Sequence, residues 1–173
     1  MKAIRYACVA GALAMLGGPA LAEVTANTTV TNNYLWRGLT QTSNNPAVQG
    51  GIDYAHDSGF YAGTWVSNVN YGPGDIYSYE HDMYLGFAGG DELTWDVGWL
   101  YYNYDDEARF DFHELYGSLG WRGFNATLFL LTGTEADEEI DQDFDFGSTY
   151  YLSLDYGCLL YTSDAADESR RVA

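Results

Sequence analysis

Between residues 23 and 157 this chain has no lysine and no cysteine. The positive side chains in that stretch are Arg37, Arg109 and Arg122, set against a chain total of 25 Asp and Glu and a net charge of −18. A nucleic-acid partner needs a basic footprint for its phosphates, so that class is excluded. The two cysteines sit near the extremes, Cys8 and Cys158, which leaves no disulfide framework and no thiolate metal site between them. Also missing is any apolar run near the ~20 residues that a membrane-spanning helix needs. There is no Ser-His-Asp order with an elbow glycine, no glycine-rich phosphate loop and no His-x-x-x-His pair. His56, His81 and His113 are scattered and read as turn or interfacial residues. The sequence therefore offers no catalytic residue, no cofactor site and no metal site, and the chain does not read as an enzyme.

The two ends read differently from the middle. Residues 1–22 have the anatomy of a secretory signal peptide. Lys2 and Arg5 form the positive n-region, residues 7–16 the apolar h-region, and Ala20-Leu21-Ala22 a small-x-small cleavage site. Cys8 lies inside the h-region and is expected to leave with it. Residues 158–173, beginning Cys158-Leu159-Leu160-Tyr161-Thr162-Ser163-Asp164, resemble the in-frame translation of a sequencing-library adapter. They are set apart from the fold, and the reading frame is expected to be truncated. The expected organisation is a signal peptide at 1–22, a partial barrel domain at 23–157 and a non-native tail at 158–173.

What the middle does contain is aromatic and alternating. Aromatics are 17% of the chain and Tyr alone numbers 16. Period-two alternation predicts strands over 24–36, 47–56, 60–70, 79–88, 93–104, 112–121, 124–132 and 145–156. On several strands one face is greasier: Trp95, Val97, Trp99 and Tyr101 oppose Thr94, Asp96 and Gly98, and Met83, Leu85 and Phe87 oppose Glu80, Asp82 and Tyr84. Leu115, Leu119 and Trp121 likewise oppose Glu114, Tyr116 and Ser118. A half-buried sheet of a soluble protein would alternate in the same way, so the connections carry the distinction. They run long at 38–46, 71–78, 105–111 and 133–144, and short at 57–59, 89–92 and 122–123. Long loops at one end and tight turns at the other are the rhythm of an outer-membrane barrel, and aromatics at strand ends suit interfacial girdles. The fold class predicted is all-β: an antiparallel up-and-down outer-membrane β-barrel, incomplete, with about eight strands visible.

A family resemblance points the same way. Tyr34-x-x-Arg37-Gly38-x-Thr40-Gln41-Thr42, then Pro46-Ala47-Val48-Gln49-Gly50-Gly51-x-Asp53-Tyr54, then Ser58-Gly59-x-Tyr61-x-Gly63-x-Trp65-x-Ser67-Asn68-Val69 resemble the TorF-type porins of Gram-negative outer membranes. The resemblance continues at Glu80-His81-Asp82-Met83-Tyr84-Leu85-Gly86, at Asp96-Val97-Gly98 with Tyr101-Tyr102, and at Glu114-Leu115-Tyr116. It implies an outer-membrane location and a parent of ten to twelve strands, and says little about substrate.

The polar face of the alternation collects Gln49, Asp53, Glu80, Asp82, Asp96 and Glu114, together with Tyr116 and Asp155. If this face lines a lumen, the lumen is anionic. Arg37, expected at the outer end of the first strand, is the conspicuous cation beside these acids and reads either as a constriction residue paired to them or as a loop anchor. Arg109 and Arg122 read as surface residues. The acidic run 135–145 is either a solvated loop or a place for divalent cations at the lipopolysaccharide surface. The expected function is passive diffusion of small polar solutes with a preference for cations, with outer-membrane lipid and lipopolysaccharide as surroundings. Two alternatives are a side-chain-filled structural or receptor barrel, and an outer-membrane enzyme or soluble binding protein. Tyr84, Tyr116 and Tyr151 are the candidate fillers.

Overall fold

A computed structural model describes residues 22–136 and 149–157. Residues 1–21 of the expected signal peptide, the expected tail at 158–173 and most of the acidic run 135–145 lie outside the described residues, whereas Ala22, the expected last signal residue, opens the first strand. The rest is a strand ladder: β1 (Ala22–Thr31), β2 (Leu35–Trp36), β3 (Leu39–Thr40), β4 (Ala47–His56), β5 (Phe60–Asn68), β6 (Tyr79–Gly89), β7 (Leu93–Asn103), β8 (Phe112–Trp121), β9 (Phe124–Thr134) and β10 (Tyr150–Tyr156). A single 3-10 turn at Asp106–Ala108 interrupts the β7–β8 loop.

Eight strands form one antiparallel sheet in the order β1-β4-β5-β6-β7-β8-β9-β10, each beside its chain neighbour once the small β2–β3 hairpin is set aside. Up-and-down topology is thus observed. The sheet is open: among the described residues β1 pairs only with β4 and β10 only with β9. The expected first strand at 24–36 is corrected. Regular pairing stops at Thr31, and the chain turns back on itself through β2 and β3, pairing Leu35 with Thr40 and Trp36 with Leu39. The reason is local. Arg37 and Gly38 both have positive φ, 49° and 85°, as a two-residue type I′ turn demands. Arg122-Gly123 repeats the dipeptide and the conformation, at 49° and 86°, to join β8 to β9. The last strand starts at Tyr150, and residues 145–148 of its expected span lie outside the described residues.

All three short connections are at one end of the sheet, and all the long ones, including the β2–β3 hairpin, are at the other. The hairpin packs on what we call the inner face. A cluster of Tyr102, Tyr104, Ala108, Phe112 and Leu131 is buried there, with Trp36, Tyr77, Leu100 and Phe110 against it. The opposite, outer face carries the greasy half of every strand. Val97 is 51% exposed, Leu119 59% and Leu154 73%. By register, no Asp, Glu, Lys or Arg of the eight strands points outward.

Candidate functional site: the inner face

The hairpin is seated by its own polar side chains. Asn33 accepts from Thr40 Oγ1 at 2.6 Å, the Tyr34 backbone N–H donates to Thr42 Oγ1 at 3.1 Å, and Thr42 Oγ1 donates to the Asn45 carbonyl at 2.7 Å. The Gln41 N–H closes the loop on the Tyr34 carbonyl, and the Gln41 carbonyl accepts from Asn70 N–H. Gln41 Oε1 takes a further hydrogen bond from the Tyr71 hydroxyl at 2.7 Å. These bonds tie the hairpin to the neighbouring β5–β6 loop, so it is fixed over the sheet rather than free above it.

So held, the hairpin delivers Arg37 to the far side of the inner face. Its guanidinium makes a two-pronged ion pair with Glu114 of β8, Nη1–Oε1 2.9 Å and Nη2–Oε2 2.6 Å. Three rings enclose it: Trp36 at 4.2 Å, Tyr151 at 4.5 Å and Phe129 at 4.7 Å. Arginine suits this place because its planar fork matches a carboxylate and its faces stack on aromatics. Tyr102 donates to the same Glu114 carboxylate at 3.1 Å. Arg37 thus pairs with one of the acids from a turn and not from a strand end, a contact compatible with both roles expected for it, since it also anchors the hairpin.

The other expected residues all stand on the inner face, in two groups. Near the loop end, Glu80 accepts from Tyr34 at 2.7 Å and from Tyr104 at 2.9 Å. Burial, reinforced by the Glu80 charge, pushes the Tyr34 phenol above its ordinary range, which keeps it a donor. Asp82 is two residues on, and Gln49 bonds Ser67 at 3.3 Å in the row of Glu80. Closer to the short-turn end, Asp53 accepts from Tyr84 and from Asn27, the latter at 3.3 Å. Asp96 accepts from Tyr61 at 2.5 Å, and the Tyr61 and Tyr116 hydroxyls meet. Asp155 lies near the edge strand's end, bonded to Ser153 and exposed.

Tyrosine was the missed partner of these acids. Three inner-face glycines explain how the rings fit. A Cβ on Gly63 would stand 2.5 Å from the Tyr84 ring, on Gly98 2.5 Å from the Tyr116 hydroxyl, and on Gly86 2.4 Å from the Tyr61 hydroxyl. Each glycine is the direct cross-strand partner of its tyrosine. Each ring therefore crosses a side-chain-free strand, and Tyr84 and Tyr61 reach a carboxylate on the strand beyond. Close approach thus accounts for Gly63, Gly86 and Gly98.

At the loop end a cavity of about 440 Å³ is lined by Trp36, Leu39, Gln41, Tyr71, Tyr77, Tyr104, Phe110 and Phe112. Nearby, Asp105, Asp106, Arg109, Asp111 and Glu135 form an acidic rim. Asp105 accepts from the Ser78 N–H and hydroxyl and the Tyr79 N–H. Some burial pulls its carboxyl upward, but these hydrogen bonds outweigh it and hold the group below the usual carboxylate range. No group of three or more His, Cys, Asp or Glu among the described residues has the geometry of a metal site.

No curated protein and no solved structure matches this chain. A family model does match, over residues 17–162, crossing both boundaries expected from the sequence. The chain belongs to the family described as "Bacterial protein of unknown function (Gcw_chp)".

Proposed function

We propose that this chain is most of the wall of an outer-membrane β-barrel whose inner face lines a narrow, anionic path for small polar solutes, preferring cations. One observation carries the proposal: the sheet is inside-out for a protein in water. Large apolar side chains cover the outer face without a charge among them, while Glu80, Asp82 and Glu114 are buried on the inner face. A lipid-facing wall needs that distribution, and a soluble sheet would pay to expose it. Long loops at one end, tight turns at the other and the resemblance to TorF-type porins point the same way. Export through residues 1–22 would bring the chain to lipid and lipopolysaccharide. Rings of acidic side chains favour cations, and exposed charge is screened over ~8 Å at physiological ionic strength, so selectivity should fade as salt rises.

The test is conductance of the purified protein in planar bilayers under a KCl gradient. Reversal potentials should show cation preference, reduced by Asp53→Asn with Asp96→Asn. Anion preference would overturn the assignment of the lining. A side-chain-filled barrel without a pore is the second reading, favoured by the seating of Arg37 among Trp36, Phe129 and Tyr151. It predicts membrane insertion with no conductance at any voltage.

A further inference from the structure

The buried charges under the hairpin do not balance. Glu80, Asp82 and Glu114 are 1%, 9% and 4% exposed. The guanidinium that faces them, Arg37, is committed to Glu114 through both of its terminal nitrogens. Two carboxyls remain. Glu80 has each oxygen in a hydrogen bond, from Tyr34 and from Tyr104. Asp82 differs: among the described residues its Oδ1 is the buried side-chain oxygen or nitrogen with no hydrogen-bond partner. A carboxylate withdrawn from water and left unpartnered is costly, and native structures rarely tolerate one without a ligand, ion or water to satisfy it.

The surroundings of Asp82 indicate which of these fits. Asp82 and Glu80 are two apart on β6 and so share its inner face. Trp65 and Tyr102 flank Asp82 in register on either side. The hydroxyls of Tyr34 and Tyr104 both donate to Glu80 and that of Tyr102 donates to Glu114, which leaves Asp82 Oδ1 open. The groups here that could ligate an ion are oxygens, those of the Asp82 and Glu80 carboxyls and the tyrosine hydroxyls, and the two carboxyls have no cation committed to them. Such a set favours a hard cation over zinc or copper, which look for nitrogen and sulfur. Calcium accepts irregular geometry and completes its six to eight oxygens with water, whereas magnesium insists on a near-octahedral cage.

We propose that Asp82 and Glu80 bind a hard divalent cation, calcium by charge balance, on the inner face beneath the β2–β3 hairpin. The inference rests on the pore reading, because the ion must reach the inner face from water. An ion held there would neutralise the negative layer beside the hairpin and oppose passage of monovalent cations.

Terbium luminescence of the purified protein in detergent tests this without using conductance. Terbium replaces calcium at oxygen sites, and Trp65, opposite Asp82, is placed to sensitise it. Emission should appear on adding terbium and fall on adding calcium. Asp82→Asn should weaken the affinity by roughly 100-fold, the upper end of what loss of even a supporting outer ligand costs. Glu80→Gln should act in the same direction, and Asp106→Asn on the acidic rim should leave the affinity unchanged. Near-UV circular dichroism checks that the variants keep the fold. If Asp82→Asn does not fold, Glu80→Gln carries the test, and unchanged affinity there overturns the proposal. Absence of calcium-displaceable emission overturns it, as does emission that survives Asp82→Asn and vanishes in Asp106→Asn. A protein that conducts but binds no terbium sinks this site and leaves the pore standing. One that binds terbium but never conducts sinks the pore alone.

Discussion

The two faces of β7 and β8 put opposite chemistry a single residue apart. Val97 and Leu119 point outward into open space, whereas Asp96 and Ser118, their chain neighbours, point inward and pair with each other across the strands. Apart from local bonds such as Thr64 with His81 and His113 with Thr132 near the loop end, the outer face is apolar and suits a partner that asks for no hydrogen bonds. On the inner face nearly every polar atom is satisfied, but only through neighbours: a guanidinium on Glu114, phenols on Glu80, Asp53 and Asp96. Charge is thus cheap on one side, where partners are built in, and expensive on the other, where none exist.

The largest expected effect breaks the inner face. Arg37 and Glu114 are only 16% and 5% exposed, so Arg37→Met leaves a buried carboxylate with Tyr102 alone. Chemical unfolding of the purified protein should show a loss of about 3–5 kcal/mol, while the double variant Arg37→Met with Glu114→Leu should recover much of it. Failure of the second change to restore stability would mean that the rings around Arg37, and not the ion pair, hold the hairpin down.

The next test breaks the outer face. Arginine at Val97 or Leu119 should cost ~2–4 kcal/mol if the site faces the lipid midplane. The same residue at Ser118, facing the inner side, should cost much less. Equal sensitivity on the two faces would point to a sheet buried on both sides in a soluble protein. Smaller again is the effect of filling a ring slot: Gly98→Val, pressed against Tyr116, should cost about 1–3 kcal/mol as overpacking does. Replacing Tyr116 by Ala in the same chain should relieve that clash, so the pair of changes should cost less than their sum.

The faces were legible in the sequence because period two maps directly onto them and the turn residues fix the register. Gly59, Gly90 and Gly123 stand in the three short connections expected from the sequence, and all adopt positive φ. The hairpin was not read, although its signal was there: Arg37-Gly38 has the same residues and backbone as Arg122-Gly123, which was read as a turn. Its strands are two residues each, too short for alternation to register, and Leu35 and Trp36 merely prolong the pattern of β1. The acids were legible by face, but their partners were not. Tyr84 meets Asp53 across 31 residues and Tyr61 meets Asp96 across 35, contacts that appear only once three strands are set in register and the glycine between them is known to be bare.

The smallest expected effect lies on neither face but on the rim, and it sharpens the contrast through pH. Asp105 joins the β5–β6 and β7–β8 loops by accepting from Ser78 and Tyr79. Because those bonds favour the ionised form, its folded pKa lies below the unfolded value of about 3.9. The sign follows directly: the stabilisation is fully present above that unfolded value and is lost as pH falls through the lower, folded one. Thermal midpoints of the protein and of Asp105→Asn should therefore differ by a small, constant amount from pH 7 down to about 4, then converge in more acidic buffer. A gap that persists at pH 2 would show that the loop bond works equally well with a neutral side chain. No gap at any pH would show instead that the rim owes its order to the aromatic contacts of Tyr77 with Tyr71, Tyr104 and Phe110 rather than to Asp105.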